Sequence, residues 1–349
     1  MHDDERHVAQ ILGARGYETH LFGLQHVSPN AERLGFHAIH RRGRGTEVAG
    51  DVEAFLRAAN PTQPLYLEIN LEEPHRPFDK GGVEPDSANG VSVPPYLPDS
   101  AAAREEFAAF QGAVYEADLA VGRVLSALDA AGLAEQTLVV FMPDHGEAMP
   151  RAKCTLYDAG IGVALIVRWP ADGVGGRTDS SLISNVDVLP TLLDAAGIPA
   201  PESVQGRSFL PLLSGEAYAP RDAVYAEKTY HSYYDPVRAV RTDRHKYIRN
   251  FESAFLVEVP GDVQLGPIYR AELQPYVSNT HPPVEFYDLD ADPLEQTNLA
   301  GQPAVADIER DLDARLWRWM EETGDPLLEG PVPLPAYKRA MAARPVTTG

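Results

Sequence analysis

Two apolar periods alternate along the chain. Val8, Ile11 and Leu12 recur at helical spacing and predict a helix over 7–14, opened by Asp3, Asp4 and Glu5 and closed by Gly13 and Gly16. Residues 17–22 then read as a strand. Helical spacing returns over 46–59 through Val48, Val52, Phe55 and Leu56, and a continuous apolar run at 64–71 predicts a buried strand. A long amphipathic helix is predicted over 102–132, with Phe107, Phe110, Val114, Leu119, Val124 and Leu128 facing a sheet. Two further buried strands, 138–142 and 163–167, bracket a polar loop. A helix opening near Ser184 and ending at Gly197 follows. Past about 215–220 the pattern changes: 224–227, 237–242, 245–250 and 286–289 behave as antiparallel strands, and 308–321 as an amphipathic helix.

With 349 residues this pattern fits one large α/β domain and a smaller appended unit. Charge narrows the partners. Lys and Arg number 30 against 51 Asp and Glu, a net charge of −21, which argues against general nucleic-acid binding because phosphate neutralisation needs a basic surface. Cys154 is the single cysteine, so no intrachain disulfide can form, and beside Lys153 it reads as a loop filler before a nucleophile. No apolar run reaches the roughly 18 residues of a membrane span, and the charged start lacks a signal-peptide core. As written the chain is expected in the cytoplasm and off the membrane; an upstream signal peptide would make it periplasmic or secreted.

Chemistry concentrates between the two strands that bracket the polar loop. The first runs into Pro143, Asp144, His145 and Gly146, and Lys153 follows. Strand ends in open α/β sheets are where such folds keep reactive groups. A carboxylate and an imidazole can hold a divalent cation, and a nearby ammonium can bind an anion drawn to it. Read singly, Asp-His-Gly also suits an ordinary turn and a loop lysine is ordinarily solvated.

The order P-D-H-G at 143–146, K-C-T-L-Y-D-A-G at 153–160 and R-W-P at 168–170 resembles the C-terminal half of the sulfatase signature. Further phrases are similar to that family: G-Y-E-T at 16–19 leading to His26, P-H-R-P at 74–77, V-P-P-Y-L-P-D at 93–99, S-N-V-D-V-L-P-T-L at 184–192, and Y-D-L-D-A-D-P-L-E-Q-T-N-L at 287–299. The resemblance covers about 6–320. It implies an alkaline-phosphatase-superfamily fold: a mixed, mostly parallel sheet sandwiched by helices over 1–218, an antiparallel α+β subdomain over 219–325 and an extended tail over 326–349.

By the same resemblance Asp144 and His145 are calcium ligands, Lys153 is the cation that contacts the sulfate, and His26 and His75 belong to the catalytic set. His75 would assist departure of the leaving oxygen; a histidine packed in a Pro-rigid loop is the plain alternative. His231, in the His- and Tyr-dense stretch 227–236, is a candidate substrate contact, with surface-turn chemistry its rival. Similarity to sulfamidase-like and other glycan sulfatases implies a sulfated small molecule or glycan as substrate, and hydrolysis of a sulfate ester or sulfamate. Three departures stand out. Leu24 occupies the place of a family lysine, and the C/S-x-P-S-R motif that matures to formylglycine does not occur, nor does the pair of aspartates that ends the family's first strand. Asp3 and Asp4 open a helix and are no substitute. A sulfatase lacking an N-terminal segment is therefore the expected reading. A phosphodiester or phosphonate monoester hydrolase on the same fold and a non-catalytic glycan-binding paralogue are the alternatives.

Overall fold

A computed structural model describes residues 5–40, 43–59, 61–171, 173, 175–252, 256–271 and 279–342, with the backbone alone at 335, 336 and 342. Asp3, Asp4 and the last part of the expected tail, 343–349, lie outside the described residues. Helix α1 (Val8–Gly13) is capped by His7, whose Nδ1 accepts from the Ala9 N–H at 3.3 Å. It leads into β1 (Glu18–Gly23), the centre of a parallel sheet in which β2 (Ala38–Ile39) and β3 (Leu65–Asn70) flank it. Gly23 closes β1 at φ 87°, and a Cβ there would lie 2.0 Å from the Asn70 carbonyl oxygen. Only glycine lets the two strand ends come this close. Both strands therefore release their loops, one carrying His26 and the other His75, at the same edge.

Helices α2 (Gly45–Ala58) and α3 (Ala101–Ala130) cover the sheet. Phe22, Val48, Val52, Leu56 and Leu128 form their shared core. Helix α3 keeps most of the stripe its large apolar residues predict, burying Phe107 and Leu128 with Phe110 and Val124 packed against the same clusters, and adds small residues to it. Ala103, Glu106, Phe107, Ala108, Gly112, Ala113 and Ala120 are buried, whereas Val114 and Leu119 are exposed. Small residues bring this helix close to its neighbours: a Cβ on Gly112 would sit 2.1 Å from the Glu84 carbonyl oxygen. Of the predicted stripe, Val114 and Leu119 turn outward, and alanines and glycine take the buried face where neighbouring backbone comes close.

Strands β4 (Val139–Phe141) and β5 (Ile166–Arg168) pair antiparallel, apart from the three-stranded sheet. Together with β3 they are half-buried or exposed, so the expectation of fully buried strands fails for all three. Short α4 (Asp158–Ile161) lies in their connection, and α5 (Val188–Ala195) and α6 (Leu210–Ser214) follow.

The C-terminal unit is a four-stranded antiparallel meander, β6 (Val224–Tyr230), β7 (Tyr234–Arg241), β8 (His245–Asn250) and β9 (Val284–Asp288). Strand alternation divides its two faces. Val240, Tyr247 and Phe286 pack on Leu312, Leu316 and Met320 of α9 (Ala306–Thr323), which is numbered after α7 (Gly261–Gln264) and α8 (Pro267–Ala271). Val237, Ala239, Ile248 and Tyr287 pack instead on Leu156 and Tyr157. The sheet thus presses the 143–160 loop from behind. Lys246, fully buried, fastens that contact: its ammonium donates to Asp158 at 2.5 Å and to the Leu156 carbonyl at 3.2 Å, and lies 2.7 Å from Glu295. Beyond α9 the stretch expected to be extended holds a 3-10 turn at Pro326–Glu329 and a short helix, α10 (Pro335–Ala342). No helix among the described residues is long and apolar enough to cross a membrane.

Candidate active site

The loop after β4 is set by backbone packing. A Cβ on Gly146 would lie 1.9 Å from the Ala159 carbonyl oxygen, and the Gly146 N–H donates to Gly160 at 2.9 Å. Farther along, Arg151 and Cys154 hold φ of 63° and 67°, left-handed values that non-glycine residues rarely adopt. Their surroundings impose it. Arg151 donates to the Leu294 carbonyl at 3.0 Å and to that of Glu295, and its guanidinium lies 4.3 Å from the Tyr157 ring centre. Between these two residues Lys153 is turned inward, its side chain 7% exposed.

The Lys153 ammonium donates to Asp262 Oδ2 at 2.8 Å, and the same oxygen lies 3.9 Å from His75 Nε2. Burial pulls the Asp262 carboxyl upward, but the hydrogen bond and charge of Lys153 outweigh it and hold the group below the usual carboxylate range. The Nδ1 of His75 faces the Arg76 carbonyl at 2.5 Å; a carbonyl only accepts, so Nδ1 is assigned the proton and Nε2 is left toward the site. Arg76 anchors this segment. It donates to the Ala148 carbonyl at 2.8 Å and pairs with buried Glu106 of α3, whose other oxygen accepts from the Ile268 N–H at 2.6 Å. One buried carboxylate therefore ties the His75 loop, α3, α8 and the 143–153 loop together.

Asp144 and His145 stand at the outer end of the loop. The Asp144 side chain is 89% exposed, and its Oδ1 lies 3.8 Å from His145 Nε2, while His145 Nδ1 faces the Gly146 carbonyl at 2.7 Å. The two groups can offer lone pairs to one cation. They do not by themselves fit calcium, which takes about six to eight oxygen ligands. Leu24 is half-buried beside Asn70. His26 sits on the exposed loop after β1, and among the described residues it makes no hydrogen bond or ion pair with Lys153, His75 or Asp262.

His231 lies in the β6–β7 turn and reaches the same region from the C-terminal sheet. Its side chain is 44% exposed, and Nδ1 lies 3.2 Å from Ser232 Oγ and 3.8 Å from Glu258 Oε1. Single ligand atoms of Cys154, His231 and Glu258 fall within 4.8 Å of one another. That trio is a poor metal centre. Glu258 already accepts from the Ser232 and Tyr233 N–H groups, at 2.7 and 3.2 Å, and from the Lys228 ammonium at 2.9 Å. Burial also pushes the Cys154 thiol up to about 12, so it is no thiolate near neutral pH. The adjoining cavity, lined by Cys154, Lys228, Asp235, Glu258 and His281 among others, measures about 30 Å³. It suits one or two waters, not a sugar. His231 and Tyr233 are exposed outside it.

Of the residues singled out in the sequence, Lys153 and His75 are brought to one carboxylate, and His231 to the neighbouring wall. Asp144 and His145 stay together at the rim, and His26 stands apart. Asp262 escapes sequence reading because an aspartate after Pro-Gly looks like any other turn residue.

Comparisons with known proteins agree with this architecture. A family model described as Sulfatase matches residues 44–198, and one described as N-sulphoglucosamine sulphohydrolase, C-terminal, matches 146–265. The chain is 31% identical over 345 residues to an ulvan-active sulfatase of Formosa agariphila, covering 95% of itself and 68% of that protein. A second ulvan-active sulfatase of that organism is 32% identical, and the chain spans 53% of its length. N-sulphoglucosamine sulphohydrolase of Homo sapiens is 28% identical, with 94% and 76% covered. Among solved structures, a 2-O GAG sulfatase superposes with a TM-score of 0.70 at 23% identity, covering 94% of this chain and 76% of that one. A phosphonate monoester hydrolase of Agrobacterium radiobacter gives 0.67 at 17%, with 92% and 81% covered. At these identities the two structures speak for the fold alone.

Proposed function

The chain belongs to the sulfatase family of sulfuric ester hydrolases, and from that premise we propose that it acts on a sulfated saccharide, with Lys153 seating the sulfuryl group. The observation that carries this reading is the inward-turned Lys153 ammonium, which meets the same Asp262 oxygen that faces His75, while the next residue, Cys154, lies beside His231. An ammonium has three donors, and Asp262 uses one. The remainder can meet sulfuryl oxygens. His75 Nε2 faces the same point; as the imidazolium, with both ring nitrogens protonated, it is placed to give a proton to a departing oxygen or nitrogen. His231 and Tyr233 would meet the sugar, an imidazole hydrogen bond beside an aromatic face.

The family resemblance implies calcium and formylglycine in general. Asp144 and His145 would supply two calcium ligands, fewer than the roughly six to eight oxygens that calcium takes. The formylglycine motif does not occur in these 349 residues.

Calorimetric titration with an N- or O-sulfated glucosamine saccharide and its desulfated counterpart tests the reading. Binding of the sulfated sugar, weakened about tenfold or more on desulfation, is the expected result; the loss of a charge-assisted hydrogen bond is of that size. Equal binding of the two sugars would contradict it.

A further inference from the structure

We propose that Arg151 is a positioning residue for Lys153: it pins the strained turn 151–154 to the C-terminal unit, so that this unit sets where the Lys153 ammonium stands. The inference rests on the assignment of Lys153 as the anion-binding cation. Among the described residues, Arg151, Cys154 and Glu295 are the non-glycine residues with left-handed backbone, at φ of 63°, 67° and 55°. The first two bracket Lys153 in sequence, and the third meets Arg151 in space. Arg151 donates to the Leu294 carbonyl at 3.0 Å and to that of Glu295. Left-handed backbone costs an L-residue free energy, so it persists only where the surroundings hold it.

The anchor is itself fixed. Glu295 is buried; its carboxylate accepts from the Asp158 N–H at 2.6 Å and lies 2.7 Å from the Lys246 ammonium. It is thus tied to α4 through Asp158 and to β8 through Lys246. The Arg151 guanidinium also lies over the Tyr157 ring, 4.3 Å from its centre. A guanidinium presents its donors in a planar fork, which suits two consecutive carbonyls, whereas a lysine ammonium is a point charge. Inside the turn the Lys153 N–H donates to the Glu147 carbonyl and the Thr155 N–H to that of Ala152, both at 3.0 Å. The Lys153 side chain leaves this turn inward, toward Asp262, while that of Arg151 leaves it toward the C-terminal unit. Relaxation of φ at Arg151 would swing the backbone after it and carry the Lys153 ammonium away.

Binding of 4-nitrophenyl sulfate, measured in calcium-containing buffer, tests this in the wild-type chain, Arg151→Lys, Arg151→Ala, Arg151→Gly, Lys153→Ala and the Arg151→Ala/Lys153→Ala double variant, each checked for folding by its melting transition. Arg151→Ala should lower affinity about fivefold or more, the size of a left-handed residue's cost, and Arg151→Lys nearly as much although it keeps the charge. Arg151→Gly should recover most of the loss, because glycine takes positive φ readily. A direct pull of Arg151 on the anion predicts the opposite order, with lysine harmless and alanine and glycine alike. In the Lys153→Ala background, Arg151→Ala should have no further effect, since it acts through Lys153; a general loosening of the fold would add its loss in both backgrounds. Wild-type affinity in Arg151→Lys or Arg151→Ala, equal losses in Arg151→Ala and Arg151→Gly, or an undiminished effect of Arg151→Ala without Lys153 overturns the proposal. Should Arg151→Ala fail to fold, the lysine and glycine variants decide by the same order. If folded Lys153→Ala binds the ester as the wild type does, the assignment of Lys153 itself falls, and the positioning role with it.

Discussion

Arg76 and Glu106 form a buried pair that joins the segment carrying His75 to the underside of helix α3. Glu106 has a side chain only 1% exposed and also accepts from the Ile268 N–H, so a single carboxylate satisfies a guanidinium and a backbone donor. Replacing one member strands the other. Glu106→Ala should destabilise the fold by about 3–5 kcal/mol, the usual cost of leaving a buried charge unpaired. Denaturant unfolding checks this, and a loss below about 1 kcal/mol would mean that the pair is dispensable.

Lys153→Ala should lower affinity for an aryl sulfate at least tenfold, since it removes the charged donor. The substitution should cost little stability by comparison, because Asp262, 25% exposed at its side chain, can be hydrated once the ammonium is gone. Paired titration and melting experiments would show whether binding and folding separate in this way.

The Cys154 thiol predicts a pH dependence. Burial raises it from an ordinary 9.0 to about 12, so the folded state keeps a proton that the unfolded chain releases. Between pH 9 and 12 the unfolded state binds fewer protons, and stability falls as pH rises. Iodoacetamide should accordingly modify the native protein at pH 8.5 far more slowly than the urea-unfolded chain. Equal rates would show the thiol to be exposed and unperturbed.

His231→Ala separates sugar contact from anion binding. Affinity for a sulfated saccharide should drop several-fold while that for 4-nitrophenyl sulfate stays within about twofold, since the β6–β7 turn stands beside the Lys153 seat and does not form it. A parallel loss for both ligands would place His231 at the sulfuryl group instead.

Much of the fold was legible because strand and helix periods are local properties. The alternation through Val237, Ala239 and Tyr247 marks β7 and β8 without any tertiary knowledge. What the sequence hid depends on closeness between distant segments. Helix α3 buries alanines and glycine because neighbouring backbone approaches it, a fact invisible to a reading that ranks residues by size. Within the site Lys153, His75 and His231 were recognisable from their motifs and their setting, whereas Asp262 was not. It acquires meaning only when a turn 109 residues after Lys153 folds back onto it. The four charged residues Asp158, Lys246, Glu295 and Arg241 likewise come together only where the sheet closes over the loop.

A crystal structure of the chain with a bound sulfate monoester would show whether Lys153 seats the sulfuryl group. Sulfuryl oxygens are expected within hydrogen-bonding distance of Lys153 Nζ, with His75 Nε2 facing the ester oxygen. An ester bound elsewhere, with the Lys153–Asp262 pair untouched at 2.8 Å, would contradict it.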